Sequence, residues 1–197
     1  MRSMARKTGS HANITGPKVR AAALRLIAAK GFAAVSMRAI AAEVGVQAGA
    51  LYRYTPDKQT LLFDLMRSHM EDLLAQAAAQ DSAPLERLDQ FTRQHILFHS
   101  DKVDAVFVSY MELRNLSPEN FARVETLRRA YEDRLCAIID AGKADGTFDV
   151  DDPKLATRAI IAMLAGLTTW YRDGGALELD EVARIYVRLV RGTIGVI

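Results

Sequence analysis

Apolar residues recur at helical spacing along almost the whole chain. Val19, Ala22, Ala23, Leu26 and Ile27 mark a first helix that Pro17 opens and Gly31 closes. Ser36 caps a short second helix with Met37, Ile40, Ala41 and Val44 on one face, and Gly45 breaks it. Gln47 to Arg53 leaves room for about two turns before Pro56 forces Thr55 out of the helical region. Asp57 caps a long helix from Lys58 to about Gln80, striped by Leu61, Leu62, Leu65, Met66, Leu73 and Leu74. Pro84 opens a fifth helix to about Ser100, and Asp101 caps a sixth to about Arg114. Ser117-Pro118-Glu119 starts a seventh that runs to about Ala141, where Gly142 and Gly146 mark a turn. Asp152-Pro153 opens the eighth and Asp180-Glu181 the ninth. No stretch alternates with period two, so the pattern predicts an all-α protein of about nine helices.

Charge adds a division that the helices do not show. The 197 residues carry a net charge of only +2, yet residues 1–60 hold ten Lys and Arg against Glu43 and Asp57, a net +8. Residues 61–197 carry −6. A basic head on an acidic body points to a polyanionic partner for one end. Arg2, Arg6 and Lys7 sit in a polar segment, residues 1–15, read as a flexible arm that either frays or tracks DNA; without them the head is still +5. Half the residues are hydrophobic and a quarter charged, which excludes disordered and collagen-like chains. Cys136 stands alone, so there is no internal disulfide, and a reducing cytoplasm fits. The longest apolar run, Ala159 to Leu167, is far short of the ~18–20 residues that cross a bilayer, so no membrane is expected as a partner.

Within the basic head, Ala41 is small where two helices must cross, Gly45 permits the turn four residues on, and Val46 and Leu51 pin the next helix. That is the logic of a helix-turn-helix. Ser36 to Ala41, followed by Gly45-Val46-Gln47-Ala48-Gly49-Ala50-Leu51-Tyr52-Arg53-Tyr54-Thr55-Pro56-Asp57-Lys58, resembles the N-terminal signature of TetR-type transcriptional regulators. The resemblance implies a three-helix DNA-binding domain at 16–60 and a helical ligand-binding and dimerisation domain at 61–197. It also implies a homodimeric repressor that binds palindromic double-stranded operator DNA and releases it on taking up a small ligand. A dimer would present about twice the head's charge along one face.

The DNA-binding candidates are Ser36, Arg38, Gln47, Ala48, Gly49, Ala50, Tyr52, Arg53, Tyr54 and Lys58. Tyr52 and Tyr54 can offer hydroxyls to phosphates, although Tyr54 could instead pack under the helix. Lys58 places an ammonium at a helix N-terminus, and Ser36 can cap and touch a phosphate together. Arg38 and Arg53 are backbone or base contacts, or else solvated charges. Ala48, Gly49 and Ala50 allow close approach to base edges. Two residues depart from the family's pattern: Gln47 stands where a short hydroxyl residue is usual, and Thr55 where Phe is common. Gln47 can pair with adenine and so read a base.

In the acidic body the eighth helix is apolar nearly all round, which requires burial on two sides. With the ninth helix it forms the expected dimer surface: Ile160, Met163, Leu164, Leu167, Val182, Tyr186, Leu189 and Val190. Trp170 to Gly175, together with Arg128 to Glu132 and Gly142…Phe148, resembles a TetR subgroup that controls acyl catabolism and responds to acyl-CoA thioesters. Arg128, Arg129, Trp170 and Arg172 could hold the polar end of such a hydrophobic effector, and Phe91, Phe98, Phe107 and Tyr110 could line its apolar slot, unless those aromatics are simply core. His95 and His99 stand four apart, a chelating spacing, but no further His or Cys lies at ligand spacing, so neither a metal nor a cofactor is expected. Alternatives to the catabolic repressor are a regulator of drug efflux responding to lipophilic cations, a non-specific architectural DNA binder, and an enzyme. No paired carboxylates, nucleophile–base set or phosphate loop supports the last.

Overall fold

The computed structural model describes residues 9–76 and 82–196, with side chains from residue 15 onward. The helices are α1 (Gly9–Lys30), α2 (Met37–Val44), α3 (Ala48–Leu51), α4 (Lys58–Leu74), α5 (Pro84–His99), α6 (Val103–Met111), α7 (Pro118–Ala144), α8 (Pro153–Ala165), α9 (Leu167–Trp170) and α10 (Leu179–Thr193). Gly166 alone separates α8 from α9, so among the described residues the chain forms nine helical rods. A short antiparallel bridge, Phe148 with Val196, ties the C-terminus to the loop after α7. The fold is all-α, with a helix-turn-helix domain followed by a helical C-terminal domain.

Several boundaries differ from the sequence expectation, and α4 ends at Leu74, short of Gln80. α1 starts at Gly9 and carries Pro17 inside it, not at its first turn. Arg2, Arg6, Lys7 and Gln80 lie outside the described residues. α7 continues through Gly142 to Ala144, so Gly142 is a helix residue and not a turn marker. The capping predictions were sounder where a side chain could reach the first turn: Asp57 accepts from Thr60 N at 2.7 Å, Ser117 from Asn120 N at 3.3 Å, and Asp152 from Lys154 N and Leu155 N. Asp101 is no such cap; Lys102 precedes α6, and no side chain caps it.

Two apolar clusters hold the molecule together. One joins Val19, Ala23 and Ile27 of α1 to Ile40 and Leu51, and runs on into Leu61, Leu62 and Met66 of α4, Val108 of α6 and Val124 of α7. The head is therefore packed onto the body through a continuous core that crosses residue 60. The other fills the body between α4, α5, α7, α8 and α10. It absorbs most of the predicted dimer surface. Ile160, Leu164, Leu167, Val182 and Val190 are almost wholly buried within the protomer, and Tyr186 is buried with them. α8 buries one face, Ala156, Thr157, Ile160 and Leu164, within its own chain and leaves Leu155, Ala159 and Ala162 exposed on another. Only Leu189, half exposed, and Met163, partly exposed, remain on the surface from that set.

Gly142 shows how tightly the body is packed. A Cβ built there would lie 2.1 Å from the Phe148 ring, which sits over the glycine while Phe148 N donates to Gly142 O at 3.0 Å. Gly142→Ala is expected to lower stability by about 1–3 kcal/mol, the usual cost of overpacking, read from the urea midpoint, with part of the loss recovered by adding Phe148→Val.

Candidate nucleic-acid interface and effector cavity

The turn of the helix-turn-helix is built by its backbone. Ser36 caps α2 through its Oγ, which accepts from Ala39 N at 3.1 Å and leaves the hydroxyl proton to donate outward. Gly45 adopts φ +74°, the left-handed region, and the chain closes with Val46 N donating to Ala41 O at 2.9 Å. Ala41 and Leu51 are fully buried at the crossing. Arg38, Gln47, Gly49, Tyr52 and Arg53 are left exposed on the outer surface, and Ala48 and Ala50 partly so. Space is open where a Cβ on Gly49 would sit, so this side of α3 is free to lie against another molecule.

Two predicted phosphate contacts are placed differently. Lys58 donates from Nζ to Phe32 O and Val35 O, both at 2.8 Å, and stands 4.1 Å from the centre of the Phe32 ring. Its ammonium clasps the loop between α1 and α2, which ends in two carbonyls with no helical partner. Tyr54 packs partly buried at the edge of the head core, beside Gly16. The same loop is held from the body: the buried Glu112 accepts from Phe32 N at 3.1 Å and also from the Asn115 side chain.

The body contains a cavity of about 300 Å³ between α4, α5 and α7. Leu73, Phe91 and Ile138 form its apolar wall, Arg87, Arg134, Gln76 and Gln94 its polar one. A smaller cavity of about 30 Å³ lies behind it, sharing Leu73, His95 and Tyr131 and adding His69, His99, Ser109, Tyr110, Arg128 and Glu132. Of the predicted ligand residues, Phe91, Tyr110 and Arg128 line these cavities. Phe98 packs on His69 and His99, with ring centroids at 5.5 and 5.1 Å. Phe107 is exposed. Arg129, one position round α7 from Arg128, pairs with Glu125 in solvent. Arg172 turns back on the carbonyls of Thr168, Thr169 and Tyr171 at the end of α9, and Trp170 stacks on Tyr186, so neither lines a cavity. Arg87 and Arg134 were missed because isolated arginines on two amphipathic helices look like ordinary solvated charges.

His69 was also missed. It lies on α4 and meets His95 and His99 only in space, with centroid separations of 5.3 Å (His69 to His99) and 4.2 Å (His95 to His99). His99 Nδ1 donates to His95 O at 2.9 Å, and His95 Nδ1 bonds the Tyr131 hydroxyl at 2.8 Å. Among the described residues no group of three or more side chains is arranged to hold a metal ion. Burial disfavours the charged imidazole and pushes His69 down to about 4 and His99 down to about 3, with His95 lowered as well.

The comparison with known proteins decides the family. Residues 19–65 match the family model described as bacterial regulatory proteins, tetR family, and residues 81–194 match the tetracyclin repressor-like C-terminal domain. This chain belongs to the TetR family. TetR proteins are DNA-binding regulators, not enzymes. The chain is 30% identical over 177 residues to the HTH-type transcriptional repressor KstR2 of Rhodococcus jostii, covering 85% of each. It is 24% identical over 179 residues to the fatty acid metabolism regulator protein of Bacillus subtilis, covering 86% of this chain and 90% of that one. Among solved structures, a tetR-family regulatory protein from Rhodococcus RHA1 superposes with a TM-score of 0.87 at 30% identity, covering 93% of this chain and 98% of that one. AibR, crystallised with isovaleryl coenzyme A and operator DNA, has the same fold, with a TM-score of 0.81 at 24% identity over 89% and 97% of the two chains. Among the described residues no helix of this TetR protein is long and apolar enough to cross a membrane.

The histidines make this TetR body acid-sensitive. Their folded pKa values lie below the unfolded value of 6.5, so the unfolded chain takes up protons that the folded one refuses. Their neutral state stabilises fully above about pH 6.5 and loses ground as pH falls toward 4 and 3; Lys102 reinforces the effect and Asp72 opposes it at His69. Urea unfolding between about pH 7 and 5 is expected to show stability falling by up to about 1.4 kcal/mol per pH unit for each histidine, and His99→Asn to flatten that slope by about one proton.

Proposed function

We propose that this protein is a ligand-responsive repressor, acting in the cytoplasm as a homodimer on palindromic operator DNA and released by a hydrophobic effector of the acyl-CoA type. The observation that carries the effector class is the cavity: an apolar interior with Arg87 and Arg134 on its polar wall, and Arg128 behind. Against these three guanidiniums the lining residues offer one carboxylate, Glu132. Guanidiniums suit phosphates and repel a lipophilic cation, so this lining disfavours the drug-efflux alternative. The interior has room for a short acyl group, with the nucleotide held at the mouth. Relatives support the reading: KstR2 is a repressor, the Bacillus subtilis relative regulates fatty acid metabolism, and AibR shows that this fold can hold an acyl-CoA together with operator DNA.

On the DNA side, the exposed set Ser36, Arg38, Gln47, Gly49, Tyr52 and Arg53 supports a recognition surface made of phosphate contacts around one base-reading side chain. Lys58 belongs to the scaffold of that surface, holding the loop that carries α2. On an operator selected from random duplexes, Gln47→Ala is expected to cost about 1–3 kcal/mol and to relax the preference at one base pair. Arg38→Ala should weaken all sequences alike and reduce the salt slope by about one. Binding no tighter to the selected site than to random DNA at ~150 mM salt would overturn the repressor reading.

On the effector side, saturating acyl-CoA is expected to raise the melting temperature and displace operator DNA, because a ligand stabilises the state that binds it. The doubly substituted Arg87→Ala/Arg134→Ala protein should lose about tenfold or more in affinity for the CoA ester, measured by calorimetry, while binding DNA normally.

A further inference from the structure

The wall between the two cavities holds a polar device that the proposed function does not use. His95 is 2% exposed, and its Nε2 is completely buried without a hydrogen-bond partner among the described residues. Ser109 Oγ, 3% exposed at the residue level and lining the smaller cavity, is in the same position. Buried polar atoms without partners are few in native proteins, and each unpaired donor costs about 1–3 kcal/mol, so two beside one cavity call for a ligand group.

The protonation of His95 follows from its neighbours. Tyr131 Oη bonds His95 Nδ1 and makes no other hydrogen bond to a described residue, so its proton has one acceptor, that nitrogen. Burial raises the Tyr131 phenol and lowers the imidazole, which keeps both neutral. A neutral imidazole that accepts at Nδ1 carries its proton on Nε2. The orphan is therefore a donor, set in an apolar wall with Phe91 against Tyr131 at a 5.0 Å centroid distance.

We propose that His95, oriented by Tyr131, is a ligand subsite that donates from Nε2 to an uncharged oxygen, a ketone or hydroxyl, on an otherwise apolar acyl group, with Ser109 as its neighbouring polar partner. This rests on the reading of the cavity as the effector site and narrows it: the effector carries an oxygen function along its chain. Unbroken hydrocarbon leaves the donor unpaired and binds less well. Arg87 and Arg134 hold the ester's anionic end; His95 reads its acyl end.

Levulinyl-CoA and valeryl-CoA have acyl chains of equal length and differ by one ketone. Calorimetric titration of the full-length protein is expected to show levulinyl-CoA binding about tenfold tighter, the equivalent of about 1.4 kcal/mol. His95→Phe should erase that preference while keeping affinity for valeryl-CoA, and His95→Gln, which retains an N–H donor, should keep part of it. Circular dichroism melts and operator binding confirm that each variant folds. Independently of any CoA ester, ring-nitrogen NMR should report His95 as the Nε2–H tautomer, and cyclohexanone should shift that resonance in the wild type. An Nδ1–H tautomer, or equal affinity for the two esters with no response to cyclohexanone, overturns the subsite. A response to cyclohexanone without binding of either ester overturns the acyl-CoA reading and upholds the subsite.

Discussion

The position of the DNA-binding head depends on a few polar contacts around one loop. Between α1 and α2 the chain exposes loop carbonyls and must still fix the start of the next helix. Lys58 takes Phe32 O and Val35 O, and Glu112 takes Phe32 N. Lys58 comes from the start of α4, where the head passes into the body, and Glu112 from the end of α6, so a head residue and a body residue together grip one loop. Glu112 is buried, which makes the contact sensitive to loss: removing the carboxylate leaves a buried N–H unpaired, at about 1–3 kcal/mol. The apolar core beneath is non-directional and could tolerate small rotations; the hydrogen bonds set the angle at which α2 and α3 are presented.

The body depends on the opposite arrangement, polar groups kept inside an apolar bundle. Three imidazoles and a phenol are packed where charge is disfavoured, and they stay neutral because α4, α5 and α7 exclude water from them. Protonated, the three imidazoles would repel one another and destabilise the bundle. Neutral, they supply directional donors and acceptors against the wall of a cavity whose rim is cationic.

The helix-turn-helix was legible in the sequence because its requirements are local. Ser36 must cap, Gly45 must turn with positive φ, and Ala41 and Leu51 must pack within a span of a few residues, so residue type and spacing suffice. Charge asymmetry carried the rest of the argument for DNA. Periodicity identifies an apolar face without naming what covers it: six of the eight residues named for the dimer surface are buried within the protomer. Ile160, Leu164, Val182 and Val190 turned inward on the protomer's own core, while Leu155 and Met163 of α8 and Leu189 of α10 stay wholly or partly exposed. Arg172 looked like a phosphate ligand and proved to be a helix-end cap for the same reason: carbonyl partners one to four residues back are invisible as a motif.

Sequence by itself determined the helical architecture, the basic head and the membership of the DNA-reading motif, all of which rest on contacts between residues close along the chain. Tertiary structure decided the cavities, because their parts come from α4, α5, α6 and α7 and share no spacing rule. His69 reaches His99, Arg87 joins Arg134, and Tyr131 fixes the tautomer of His95 only once the bundle has closed. Local interactions are written in order along a chain. A cavity is defined by which side chains the core leaves room beside, and that depends on every helix at once.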